Sequence, residues 1–176
     1  MRVSLGSFLL LLLHRYEACS AQAESEPLRE ACRLPDDFTT RFNLLVLHLW
    51  ICMVRMRQEG DAGKNVSQMI YDMWVEDMED KLAEQDFKWL EIAKFTKEFQ
   101  HTFYGSAFAY DQALQGDDCA LASALYRNVF NEETDAATVA RAVGYVRKQL
   151  QLVEAVDSED FMRNGVTPWK AAAVAH

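Results

Sequence analysis

The longest apolar stretch lies between Phe42 and Val54, where only Asn43 and His48 are polar. Phe38, Phe42, Leu45, Leu49, Cys52 and Met56 recur at spacings of four and three, the stripe of a helix face. A helix that is apolar nearly all round belongs in the middle of a bundle. The apolar run of ~13 residues spans only ~20 Å, against the ~30 Å of a bilayer core. A surface turned to a membrane or a client protein is the functional alternative; a central core helix is the plainer reading. Asp36 or Asp37 supplies a cap at its start, and Gly60 a stop at its end.

Further helical stripes follow. Asp61 to Asn65 reads as a connection, and a helix then covers about 66–83 with Met69, Ile70, Met73, Trp74 and Met78 apolar. A long helix over about 87–114 has Leu90, Phe95, Phe99, Phe103, Phe108 and Tyr110 as inward residues, with Gly105 as a site for a bend. Gly116-Asp117 closes it and caps the next, which runs to Phe130. Thr134 or Asp135 opens another that carries Val139, Val143, Val146, Leu150 and Val153 to about 156. Ser158 to Met162 adds a short turn, and an extended arm follows Asn164-Gly165. The fold class is all-α, one multi-helix domain around a nearly all-apolar central helix. Residues 1–19 form an N-terminal helix or signal-like segment, 20–35 a loop with Pro27 and Pro35, 36–163 the helical core and 164–176 a tail.

The start of the chain has two readings. Apolar Phe8 to Leu13 followed by Ala21-Gln22-Ala23 looks like a secretory signal with an A-x-A cleavage site, and Asn65-Val66-Ser67 is then a glycosylation sequon. That gives a secreted helical binding protein. Against it, cleavage after Ala23 leaves Cys32, Cys52 and Cys119, an odd set for a disulfide framework. His14, Arg15 and Glu17 follow the run directly, as on one face of a domain helix that continues to Cys19.

Composition changes the picture in one respect. With 176 residues the chain is the size of one domain, and its formal charge of −9 disfavours a nucleic-acid binder, which needs a basic face; no direct DNA binding is expected. Seven Gly and three Pro are too few for the many turns of an all-β protein.

Candidate chemistry is sparse, and neither a catalytic site, a cofactor nor a metal is expected. Gly60 to Asn65 resembles the end of a phosphate-binding loop but lacks its first glycine, the Ser or Thr after Lys64 and a preceding strand. His48 and Cys52 share a helix face without a second ligand pair, so a buried imidazole and thiol are the plainer reading. Asp72 to Glu91 holds eight acids and two lysines but no Glu-x-x-His motif of a di-iron site, and reads as a solvated face. Arg55, Arg57 and Lys64 gather where the apolar helix ends, with Glu59 or Asp61 in reach of Arg57. They either complement the helix dipole or form a docking patch.

The run Leu47-His48-Leu49-Trp50-Ile51-Cys52-Met53-Val54-Arg55-Met56-Arg57-Gln58-Glu59-Gly60, continuing to Gly63-Lys64, resembles the ubiquinol–cytochrome c chaperone family. Tyr110-Asp111, Asp117-Asp118, Leu121 to Asn128 and Phe130-Asn131 resemble its second block, and Tyr145-Val146-Arg147-Lys148-Gln149-Leu150 its third. Tyr126 stands where the family often has Trp. The resemblance covers about residues 15–169. It implies a non-enzymatic, all-helical assembly factor for respiratory complex III, peripheral to the inner mitochondrial membrane on its matrix face. It further implies binding to newly made cytochrome b beside a small helical companion, in some members at the mitochondrial ribosome exit. Arg55, Arg57, Glu59 and Lys64 are then the expected partner-binding residues. His48, Trp50, Trp74 and Trp89 are candidates for a client groove, with the core as their plainer destination.

Overall fold

A computed structural model describes residues 5–165 and 169. Its elements in chain order are α1 (Leu5–Ala23), α2 (Glu26–Ala31), α3 (Phe38–Met56), α4 (Gly60–Ala83), α5 (Trp89–Leu114), α6 (Asp118–Asn128), α7 (Ala136–Glu154) and α8 (Ser158–Arg163). Among the described residues there is no strand. Helix α3 is the axis, packed by α1, α4, α5 and α7, while α6 fills the space between α5 and α7. Every residue from Phe42 to Cys52 is buried, so the all-round apolar pattern marks a central helix. Among the described residues, no helix is long and apolar enough to cross a membrane.

The helix starts follow the expected capping chemistry. Asp37, Asp117 and Asp135 each accept the backbone N–H three residues on, from Thr40 at 2.7 Å, Ala120 at 3.0 Å and Thr138 at 2.8 Å. Each satisfies a donor that the first turn leaves free, a contribution of ~1 kcal/mol.

Several sequence expectations are corrected. The stretch 20–35 is not a loop: α1 continues to Ala23, and α2 occupies Glu26–Ala31. Pro27 sits in the first turn of α2, where its missing N–H costs nothing, so a residue read as a breaker is a starter. Asp61 to Asn65 is not a connection either. A 3₁₀ turn at Arg57–Glu59 runs into Gly60 at φ 59°, and α4 begins there. A Cβ at Gly63 would overlap the Met56 carbonyl, so the glycines build a tight corner between α3 and α4. Helix α5 is unbroken through Gly105. Its buried face carries Thr96, Phe103, Ser106, Tyr110 and Ala113, which leaves Leu90 and Phe108 on the solvent side instead of inward. The expected arm after Gly165 lies outside the described residues except for Trp169.

Helix α1 belongs to the core: Leu12, Tyr16, Cys19 and Ala23 are buried against it. Cleavage after Ala23 would strip these residues away and uncover the faces of α3 and α4 that pack on α1. Asn65 lies within α4 rather than in a loop.

Candidate functional site

The motif residues of α3 point into the molecule and tie it together. Burial pulls the His48 imidazole down to about pH 4 in pKa, so the ring is neutral. Leu44 O, 2.6 Å from Nδ1, can only accept, which places the single ring proton on Nδ1. Nε2 then accepts from the Tyr145 hydroxyl at 2.7 Å, and Gln22 donates to that hydroxyl at 2.9 Å. One buried relay thereby links α1, α3 and α7. Trp169 stands edge-on to the imidazole at 5.2 Å.

A second tie joins α3 to α5. The fully buried Trp50 donates its indole N–H to Asp111 Oδ1 at 2.8 Å and packs on the Tyr110 ring at 5.1 Å. Arg57 grips the same carboxylate through both terminal nitrogens at 2.8 Å. Arg57 therefore pairs with Asp111, not with Glu59 or Asp61. The bidentate geometry fixes the corner after α3 against α5.

The third tie corrects the assignment of Arg55 as a solvated docking residue. Arg55 is buried and bonded to Glu59, the Val156 carbonyl and Ser158. Hydrogen bonds from Arg55 and Ser158 hold the Glu59 carboxyl below its usual range. The guanidiniums of Arg55 and the equally buried Arg15 lie over the Phe161 ring, at 4.8 and 4.5 Å. Arg15 also donates to the Phe161 carbonyl. Together these contacts lock α8 onto α1 and α3.

Trp74 is also core, its ring 4.8 Å from Phe103 and 5.9 Å from Phe42. Of the four groove candidates, His48, Trp50 and Trp74 are fully buried and Trp89 is exposed. Three of them are thus occupied with packing, and the structure does not gather the four into one groove.

Arg57 and Lys64 do come together at the surface. Both line an open cleft of about 270 Å³ between α3, α4 and α5, with Met53, Ser67, Gln68, Tyr71, Phe103 and Tyr104. Among the described residues Lys64 pairs only with its exposed neighbour Asp61, at 3.0 Å. The aromatic wall is continuous: Tyr71 is 5.1 Å from Phe103 and 5.2 Å from Tyr104. Such a cleft suits an apolar or aromatic side chain with an acidic neighbour. Asp111 and Tyr104 were not singled out for this site. Tyr110-Asp111 stood in the second motif block, and Tyr104 lies one turn before Phe108. Among the described residues no three His, Cys, Asp or Glu side chains are grouped to hold a metal ion.

Fold and geometry define an all-helical bundle whose motif residues knit its interior and leave an aromatic, cation-rimmed cleft at one corner. The chain belongs to the ubiquinol–cytochrome c chaperone family, whose model matches residues 30–169. It is 34% identical over 160 residues to ubiquinol-cytochrome-c reductase complex assembly factor 1 of Xenopus laevis, covering 90% of this chain and 80% of that protein. The mouse protein of the same name is 30% identical over 97% of this chain, which spans 58% of the mouse protein. Protein CBP3, mitochondrial, of Saccharomyces cerevisiae is 32% identical over 83% of this chain, which spans 48% of the yeast protein. The crystal structure of the Cbp3 homolog from Brucella abortus superimposes with a TM-score of 0.84 at 24% identity, over 97% of this chain and 94% of that one. That last likeness concerns the fold.

Proposed function

We propose that the chain is a non-enzymatic assembly factor for mitochondrial ubiquinol–cytochrome c reductase, acting on the matrix face of the inner membrane. In this reading it holds newly synthesised cytochrome b together with a small helical companion. Support comes from family membership and from relatives whose names describe assembly of that enzyme. The observation that carries the reading is the cleft. Arg57 and Lys64 rim it, Tyr71, Phe103 and Tyr104 wall it, and it sits at the corner built by the first motif block.

The cleft fits the task physically. Before insertion, a membrane protein exposes apolar helices, and a binder needs an apolar wall with a polar rim to hold one without committing to it. The rim cations set encounter and register more than affinity.

The test is removal of the chain from cells of its own organism, with pulse-labelled cytochrome b and the assembled reductase followed on native gels. The reading expects cytochrome b to be made and then lost, with little assembled enzyme. A normal level of assembled enzyme overturns it. Capture on a tagged chain during the pulse tests the client directly, and cosedimentation with mitochondrial ribosomes reports where the capture happens.

A further inference from the structure

Beyond the cleft, with which it shares only Tyr104, the outer face of α5 carries a second surface with its own pattern. Leu90, Lys94, Lys97, His101, Tyr104 and Phe108 follow one another at spacings of four, three, four, three and four. At ~100° per residue they fall within an arc of roughly 80°, opposite the buried face. All six are exposed, Leu90 at 73%, Tyr104 at 58% and Phe108 at 64%. Among the described residues, four of the eight exposed large hydrophobic ones lie on this helix, with Trp89 beside Leu90 completing the four. The spacing is the a/d seam of a coiled coil, sustained for ~27 Å.

The seam is apolar at its ends and carries two lysines and an imidazole across its middle. Lys94 meets Glu98 only at 3.9 Å, and among the described residues no ion pair engages Lys97 or His101. In a chain with nine excess negative charges, Lys97 is without an ion pair among the described residues, and Lys94 has only this long pair and the Phe95 ring at 6.0 Å.

We infer that the outer face of α5 is a docking seam for an amphipathic α-helix of a partner protein, apolar at both ends and acidic in its central layers. Charge complementarity selects this occupant. A bilayer surface takes a helix whose apolar face is continuous and whose lysines lie on the opposite side; here the cations interrupt the apolar line. A second copy of the chain brings no carboxylate to the lysines. Antiparallel pairing of two seams sets Lys94 against Tyr104 and Lys97 against the His101 imidazole, and parallel pairing stacks each lysine on its equal. An acidic helix relieves both problems and covers Leu90 and Phe108 with its ends. The seam shares only Tyr104 with the cleft; Leu90, Lys94, Lys97, His101 and Phe108 do not line it, and the variants below are confined to these.

The experiment titrates the full chain against two synthetic helical peptides of three heptads, followed by fluorescence anisotropy. Both carry Leu in the outer seam layers; one has Glu in the central layers and the other Lys. The wild-type chain is expected to prefer the Glu peptide by about tenfold, with the preference fading as salt rises. The pair Lys94→Glu/Lys97→Glu is expected to invert the preference. Leu90→Ser/Phe108→Ser is expected to weaken both peptides. Melting temperatures are measured on the same samples, and Lys94→Gln/Lys97→Gln, which removes the preference without inverting it, serves if the glutamate pair unfolds. Absence of peptide binding, equal binding of both peptides, or no inversion overturns the inference. So does flotation with phosphatidylglycerol vesicles that depends on Lys94 and Lys97 while the peptides fail to bind. A concentration-dependent dimer abolished by Leu90→Ser/Phe108→Ser, without peptide binding, assigns the face to a second copy and overturns it equally. None of these outcomes bears on cytochrome b capture, so the two readings stand or fall separately.

Discussion

Trp50 on α3 is fully enclosed, its indole N–H bonded to Asp111, while Trp89 at the start of α5 is 77% exposed. The same contrast separates the cations. Arg55 is buried among Glu59, Ser158 and the Val156 carbonyl, whereas Lys97 has no ion-pair partner among the described residues. Both helices carry aromatic and basic side chains, yet α3 spends its set on packing and α5 presents much of its set to solvent. Residues such as His48, Trp50 and Arg55, which stand in the stretch that resembles the family, hold the fold together here and are silent about what the surface touches.

The contrast can be broken at defined points. Trp50→Ala removes a buried indole and leaves Asp111 without one of its donors; a loss of about 4 kcal/mol is expected in urea unfolding. A loss under ~1 kcal/mol would remove Trp50 from the spine. Arg55→Met strips the Val156 carbonyl of its side-chain donor and leaves Glu59 with Ser158 alone, with an expected loss of about 3 kcal/mol. Hydrogen exchange in Ser158–Arg163 is expected to rise in the same variant, because α8 loses one of its two arginine contacts. Unchanged exchange there contradicts the lock.

The His48 relay gives a pH signature. The folded ring titrates at about 4 and the unfolded ring at 6.5, so between these values the unfolded chain binds the extra proton. The stability tied to neutral His48 is complete above pH 6.5 and is lost as pH falls toward 4. Its full extent is about 3 kcal/mol. Carboxylates such as Glu59 add their own loss at lower pH, so the difference between wild type and His48→Gln isolates the imidazole share. Parallel pH profiles for the two proteins contradict the buried neutral ring. At the small end, Phe108→Ser on the outer face is expected to change stability by no more than ~0.5 kcal/mol. A larger loss, read by the same urea titration, makes Phe108 a packing residue.

Much of the fold was legible in the chain. The all-round apolar run of α3 marked a central helix, and three aspartates at helix starts proved to be caps. The errors have local causes. Pro27 reads as a breaker until it is seen in a first turn, and the α3–α4 corner hides because Gly60 and Gly63 let two helices meet without a linker. Leu90 and Phe108 were expected inward from hydrophobicity alone; helical phase places them opposite Phe103 and Tyr110. The cleft was legible only in part. Arg57 and Lys64 were read as a surface cluster, but the aromatic wall arises from Tyr71 and Tyr104 on separate helices, a tertiary pairing that no spacing encodes. Arg55 went the other way, because burial depends on α8 returning to cover it.

The central claim is that the cleft, and not the buried motif, meets the client. It is tested by restoring Lys64→Glu/Gln68→Glu, two cleft positions outside the α5 seam, to cells from which the chain has been removed, with the melting temperature of the purified variant and the level of assembled reductase measured side by side. Both side chains are exposed, so the variant is expected to melt within a few degrees of wild type. The account predicts that this folded variant captures little pulse-labelled cytochrome b and leaves the reductase unassembled. Full capture and full assembly by the same folded variant would contradict it.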